Sequence, residues 1–175
     1  MNLIENLERY TKYANGNESC AGELVVEDEV VNNVDFSKYD LNNSYFGGVT
    51  FNNCDFSNVY LSGSNFGGSI INKCNFKDNQ LVKAEWDDMH FIDVVAIGIN
   101  AFRTTFMYGD FTKITFKDCS FTKCIFDDSS LDEVRFENCR FESTSFNNCK
   151  FKNVFFLGCD SDRSYAGIEG VYADE

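Results

Sequence analysis

Large apolar residues recur at every fifth position from Phe36 to Phe156. Counting in fives gives Phe36, Leu41, Phe46, Phe51, Phe56, Leu61, Phe66, Ile71, Phe76, Leu81, Trp86 and Phe91. After Ala96 and Ala101 the count resumes at Phe106 and runs through Phe111, Phe116, Phe121, Phe126, Leu131, Phe136, Phe141, Phe146, Phe151 and Phe156. Of these 25 positions 23 are large and apolar, and no insertion is needed to hold the count. Two residues earlier in each unit stands a mostly small residue, such as Val34, Ser44, Val49, Cys54, Ser64, Ala84, Thr104 or Cys139, with Tyr39, Asn79, Met89 and Ile99 as larger exceptions. Residues two apart on an extended chain point to the same side. Each unit therefore buries one large and one small residue, and the three remaining, mostly polar positions face water. A period of five fits neither a helix nor a plain strand, and predicts a strand-and-corner unit stacked into a solenoid.

Units such as Cys54-Asp55-Phe56-Ser57-Asn58, Ser64-Asn65-Phe66-Gly67-Gly68 and Cys74-Asn75-Phe76-Lys77-Asp78 resemble the pentapeptide-repeat family: a small residue, Asp or Asn, then Leu or Phe, then two polar residues. The resemblance covers roughly residues 34 to 160. It implies an all-β fold, a right-handed quadrilateral parallel β-helix with 20 residues per coil and one unit on each face. The four-sidedness comes from the resemblance, not from the period. Twenty-five units over four faces make about six coils, a rod roughly 30 Å long at the usual strand spacing.

The ends depart from the repeat. Leu3, Leu7 and Tyr10, with Ile4 alongside, fall at helical spacing and predict a short amphipathic helix over 2–14. Leu24, Val26, Val31 and Val34 keep the five-residue register and predict a degenerate first coil. Near the C-terminus Tyr165, Ile168, Val171 and Tyr172 follow a three- to four-residue spacing, weakened as a helix by Gly167 and Gly170. The expected organisation is an N-terminal capping helix over 1–19, the pentapeptide-repeat β-helix over 20–160, and a C-terminal cap or dimerisation tail over 161–175. A solenoid needs its open ends covered, because bare strand edges pair with other chains. The resemblance adds a homodimer through the C-terminal end as the alternative to simple capping.

Composition fits one domain of 175 residues. The chain has no proline, as expected where backbone amides must bond to the coils above and below. Nineteen Phe supply an aromatic interior that needs no metal or disulfide to hold it. Seven of the eight cysteines, all but Cys20, occupy the small inward position, where thiols act as compact hydrophobes. Cys119, Cys139 and Cys159 stack in a 20-residue coil, as do Cys54 and Cys74, and such parallel side chains do not converge as metal ligands must. The N-terminus shows no secretory pattern and no stretch reaches membrane-spanning length. With reduced thiols, a cytoplasmic location is expected.

Residues 92 to 108 are anomalous. Ala96 and Ala101 stand where large residues belong, while Ile92, Val95, Ile97, Phe102, Met107 and Tyr108 fall at outward positions. Either the register slips by one, turning Ile97 and Phe102 inward, or the unbroken register exposes an apolar belt suited to a partner. The slip is preferred, because it refills the core. Ile92, Met107 and Tyr108 stay outside in both cases.

The net charge is −13, unevenly spread. Residues 36 to 156 hold 15 acids and 12 bases, so most of the excess lies at the ends. Family resemblance implies DNA-like proteins that bind DNA gyrase and counter quinolones, which makes a type II topoisomerase a candidate partner. Against it, B-DNA would carry about 18 charges over a rod this long. Stacking by 20 residues aligns Lys83, Arg103 and Lys123 as a basic stripe. On the next face Asp87 and Asp88 lie two coils from Asp127 and Asp128, with Met107 and Tyr108 between. These six residues are the candidate partner-binding surface. Around the following corner Lys73, Asp93, Lys113 and Glu133 alternate in sign, a stabilising column. No face is basic enough overall to expect direct nucleic-acid binding.

Catalysis and cofactors find little support. His90, the only histidine, is an outward residue near Asp87, Asp88 and Asp93, the ordinary setting of a solvated side chain. The run Asp127 to Glu133 lacks the glycine of a calcium loop, and alternate residues point inward. Gly47-Gly48 and Gly67-Gly68 recur at corners rather than in a phosphate loop. The expectation is a non-enzymatic scaffold without metal or cofactor, acting on a protein partner and not on a membrane.

Overall fold

Every five residues the chain runs briefly extended and then turns through one residue of left-handed backbone, which is what a corner in so short a repeat demands. The turning residue stands two after each large inward residue: Asn53 at φ 52°, Asn58 at 60°, Asp78 at 54°, Asp118 at 53°. Thirteen of the 21 non-glycine residues with positive φ are Asn or Asp, the L-residues that tolerate this region best. Gly48 and Gly68, at φ 65° and 69°, occupy equivalent corners. This computed structural model describes residues 2–17, 22–162, 165 and 168–173.

Twenty residues close one coil, because strands pair in parallel with partners 20 positions away, as in Phe51↔Ile71, Leu81↔Ala101 and Phe116↔Phe136. With one corner per five residues, each coil has four sides. Face one carries the column Phe36, Phe56, Phe76, Ala96, Phe116, Phe136 and Phe156. Face two carries Leu41, Leu61, Leu81, Ala101, Phe121 and Phe141. Face three carries Phe46, Phe66, Trp86, Phe106, Phe126 and Phe146, and face four Val31, Phe51, Ile71, Phe91, Phe111, Leu131 and Phe151. The stack has about seven coils, one more than the count from Phe36 suggests. The strands Val25–Glu27 and Val30–Asn32 pair fully with the next coil.

Backbone amides stitch the coils together, as in Phe56 N–H to Asn75 O at 2.9 Å and Asn75 N–H to Cys54 O at 3.1 Å. Inside, rings stack down each column: Phe36 on Phe56 at 4.5 Å, Phe56 on Phe76 at 4.9 Å, Phe106 on Phe126 at 4.7 Å. Rings on neighbouring faces meet edge to face, as Phe121 does with Phe126 at 5.4 Å, the arrangement their quadrupoles favour.

The small inward position does more than fill space. Where it is Ser, Thr or Cys, its side chain donates to a carbonyl, in most coils one 23 residues earlier, and for Ser44 and Ser64 one three residues earlier, Leu41 O and Leu61 O. Thr104 Oγ1 reaches Leu81 O at 2.7 Å, Ser69 Oγ reaches Phe46 O at 2.8 Å, and Cys139 Sγ reaches Phe116 O at 3.4 Å. Corners interrupt the ladder, and these donors satisfy buried carbonyls that would otherwise lose a partner. All seven described cysteines are free thiols placed this way. Reading them as compact hydrophobes therefore misses half of their role. Asn79, fully buried, bonds two carbonyls at once, Phe56 O at 2.7 Å and Val59 O at 2.9 Å. Asn79→Val is expected to cost about 2 kcal/mol by stranding those acceptors. Asn79→Thr should recover part of that loss through a hydroxyl of the kind Thr104 supplies. Urea unfolding of both variants checks this.

Residues 92–108 hold the register without a slip. Ala96 pairs with Phe76 and Phe116, and Ala101 with Leu81 and Phe121. Both alanines are buried. The preferred slip is thus overturned, and the exposed belt is what the chain builds: Ile92 is 41% and Val95 44% exposed, with Ile97 and Phe102 half-buried. Energetics explain the choice. The missing rings leave a void of about 20 Å³ bordered by Phe76, Trp86, Phe106, Phe116 and Phe121, which costs roughly 0.5 kcal/mol. A slip would break several ladder hydrogen bonds at about 1 kcal/mol each. The indole of Trp86 borders this void, with its Nε1–H donating to Ser64 Oγ at 3.0 Å.

At the N-terminus Leu3–Ala14 is helical, opened by a capping box in which Asn2 Oδ1 accepts from Glu5 N–H at 2.9 Å and Glu5 Oε2 from Asn2 N–H at 3.1 Å. Leu7 and Tyr10 bury against the same core as Leu24, and the Tyr10 hydroxyl donates to Asn42 O. Among the described residues no helix is long and apolar enough to cross a membrane. The C-terminal spacing does not produce a helix at 171–173. Val171–Ala173 is a strand paired with Val154, Phe155 and Phe156, because the last coil offers an open ladder edge. Tyr165 is buried, its ring stacked on Phe156 at 4.3 Å. Cys20 and Gly167 lie outside the described residues.

Candidate partner-binding surface

Coil stacking brings the six predicted residues together on face three. Asp87, Met107 and Asp127 form one column, and Asp88, Tyr108 and Asp128 form the corner column beside it. The backbone fixes this alignment: Asp88 N–H donates to Met107 O at 2.9 Å, and Tyr108 N–H to Asp127 O at 3.1 Å.

Their side chains divide into two groups. Asp87 Oδ1 accepts from Met107 N–H at 2.8 Å. Asp127 Oδ1 accepts from Asn147 N–H at 2.8 Å and from the Ser145 hydroxyl, and its Oδ2 accepts from Asn147 Nδ2 at 3.0 Å. These two carboxylates hold the next coil in place. Asp88 and Asp128 project from exposed corners, Asp128 accepting only from Asn148 Nδ2 at 3.2 Å. Between them Tyr108 is 56% exposed and packs on no other aromatic ring among the described residues. Its φ of 59° makes it the one aromatic at a left-handed corner among the described residues, a position where Asn or Asp costs less.

Glu85 joins the same face, exposed and accepting from Asn65 Nδ2 at 3.1 Å. Standing alone rather than beside a second acid, it gives no pair signal in the sequence, although the 20-residue count places it one column from Asp87. Face three between residues 45 and 148 thus presents five carboxylates, Glu85, Asp87, Asp88, Asp127 and Asp128, and no base. Its rim on face four is formed by His90, whose Nδ1 lies 3.1 Å from Asp110 Oδ2, a partner one coil away rather than the neighbours in sequence. Among the described residues no group of three or more His, Cys, Asp or Glu is placed to hold a metal. The surface can offer a flat negative field from which Tyr108 projects.

Family models described as pentapeptide repeats match residues 101–145 in a nine-copy form and residues 32–68 and 40–78 in an eight-copy form. Together they span more than half of the chain. None of the curated proteins matches it. Among solved structures, a trypsin-treated form of QnrB1, a plasmid-mediated fluoroquinolone resistance protein, is 18% identical and aligns over 87% of this chain and 90% of its own, with a TM-score of 0.31. HetL, a pentapeptide repeat protein involved in heterocyst differentiation regulation from the cyanobacterium Nostoc sp. strain PCC 7120, is 12% identical over 99% of this chain and 94% of its own, with a TM-score of 0.29. A pentapeptide repeat protein of the Arabidopsis thaliana thylakoid lumen is 16% identical over 73% and 65%, with a TM-score of 0.23. These overlaps are loose, and the assignment rests on the repeat models together with the four-sided coil. On that footing the chain belongs to the pentapeptide-repeat family.

Proposed function

We propose that this protein is a non-catalytic scaffold that binds a protein partner on face three, the partner supplying a basic surface with an apolar recess for Tyr108. The observation that carries the reading is Tyr108 itself. A bulky ring is held in a disfavoured backbone region, half in solvent, between Asp88 and Asp128, the two of the four aspartates that accept from no backbone N–H among the described residues. Strain of this kind with no return inside the fold marks surfaces kept for binding. The free thiols suit a reducing compartment such as the cytoplasm. The open outer edge of Val171–Ala173, last strand of its sheet, supports a homodimer through the C-terminal end.

A second reading, a DNA-like protein directed at a type II topoisomerase, draws on the same acids. Five carboxylates lie within three coils, about 14 Å of rod at usual strand spacing. B-DNA carries roughly eight phosphates over that length, so the likeness is local and partial. Pull-downs from native lysate with wild type, Tyr108→Ala and the pair Asp88→Lys/Asp128→Lys test the first reading. A partner recovered by wild type should bind about 30-fold more weakly to Tyr108→Ala, as for a central aromatic anchor. Equal recovery by all three proteins contradicts the reading. Gyrase supercoiling, with and without a quinolone, tests the second, which a stoichiometric excess without effect removes.

A further inference from the structure

Face two, one corner away, is the electrostatic opposite of face three. Over residues 80–123 its outward positions include Lys83, Arg103 and Lys123 and no acid. The three bases occupy the same corner in successive coils, all with left-handed backbone at φ 57°, 54° and 55°, and all exposed. None makes an ion pair among the described residues. Some bases elsewhere are paired, Lys152 with Asp132 at 2.8 Å, Arg135 with Glu137 at 3.0 Å and Arg140 with Glu142 at 3.4 Å, so what sets the stripe apart is three bases stacked in one column with no acid among them. The corner between faces four and one shows the usual solution, with Lys73, Asp93, Lys113 and Glu133 alternating in sign. Stacking like charges directly above one another is unfavourable, and so is the backbone of each.

Apolar groups lie beside the stripe. Val82 is 37% exposed, and Phe102 is half-buried with the Arg103 guanidinium 5.2 Å and the Lys123 ammonium 6.0 Å from its ring centroid. We propose that face two, through Lys83, Arg103, Lys123, Val82 and Phe102, is a second docking surface, for a short acidic peptide segment with an aliphatic anchor. Charge complementarity selects an anion, and Val82 with Phe102 selects one that carries an apolar side chain. In an extended segment alternate side chains sit about 7 Å apart on one side, so two carboxylates reach the stripe with an anchor between or beside them. A long polyphosphate fits less well. Cations already lie over the Phe102 ring that a base would stack on, and a long polymer would pass the carboxylates of the adjoining face. This site is independent of the one on face three.

The test is fluorescence anisotropy with a labelled twelve-residue peptide of alternating Glu and Val, beside a twelve-nucleotide oligothymidylate. Arg103→Asn/Lys123→Asn removes charge while placing at each corner a residue that favours its backbone, and Lys113→Asn removes one charge from another corner. Saturable peptide binding that weakens at least tenfold in the double variant, changes less than twofold in Lys113→Asn and Tyr108→Ala, and falls with salt supports the proposal. It is overturned by absence of saturable binding, by equal loss in Lys113→Asn, by no loss in the double variant, or by oligothymidylate binding as tightly as the peptide. Unchanged binding in Tyr108→Ala separates this result from the fate of face three.

Discussion

Replacing Phe126 by alanine is expected to destabilise the rod by about 4 kcal/mol, the upper range for removing a buried ring. Phe126 is fully buried. It stacks on Phe106 and on Phe146, each at 4.7 Å, and meets Phe121 edge to face at 5.4 Å. The void has little chance to close, because its walls are rings held in place by the coils above and below. Phe126→Leu should recover more than half of the loss. Urea unfolding followed by far-UV circular dichroism gives both values, and a loss below about 1 kcal/mol would mean that the column is not close-packed.

Alkaline pH is expected to destabilise the fold strongly, and Cys124 illustrates the sign. Burial pushes its thiol up to about 11, while an unfolded thiol ionises near 8.5. Between those values the unfolded chain releases a proton that the folded chain keeps. The contribution is fully present below about pH 8.5 and is lost as the pH rises toward 11, at about 1.4 kcal/mol per pH unit for this one group. Cys139 is pushed up to about 12, first through its hydrogen bond with Cys119, but that bond also holds the Cys119 thiol below its usual value, so the two offset and the burial of Cys124 carries the prediction. Unfolding midpoints at pH 7, 9 and 10 should fall steeply over the last two. Cys124→Ser, which keeps a donor for Ala101 O, should flatten the slope.

Most of this architecture was legible because volume reports direction in so short a repeat. A large residue at every fifth position from Phe36 to Phe156 has only one interior to share, and the small residue two earlier follows from strand geometry. What the pattern could not weigh was backbone pairing. Hydrophobicity alone favoured turning Ile97 and Phe102 inward. The intact ladder through Asn100, Ala101 and Phe102 outweighed two side chains. The same blindness hid the Val171–Ala173 strand, which exists because an open edge was available, and the donor role of the cysteines, which answers to carbonyls that a sequence does not display. At the candidate site the coil count brought the six residues together correctly. It could not show that Asp87 and Asp127 are committed to hydrogen bonds within the coil, which shifts the weight onto Asp88, Tyr108 and Asp128. That face three lacks bases while face two lacks acids over three coils is not visible in acid pairs, because it is a property of whole columns.

Both proposed surfaces depend on columns that exist only if 20 residues make one turn. The direct measurement is excision of residues 54–73, which joins Asn53 to Cys74 and sets Cys74 where Cys54 stood, compared with excision of 54–74. The first deletion should leave a shorter rod with strand circular dichroism, cooperative unfolding and both proposed surfaces, from residue 80 onward, retained. The second shifts every later side chain by one position and should not fold. Equal behaviour of the two deletions, whether both fold or both fail, would contradict the account.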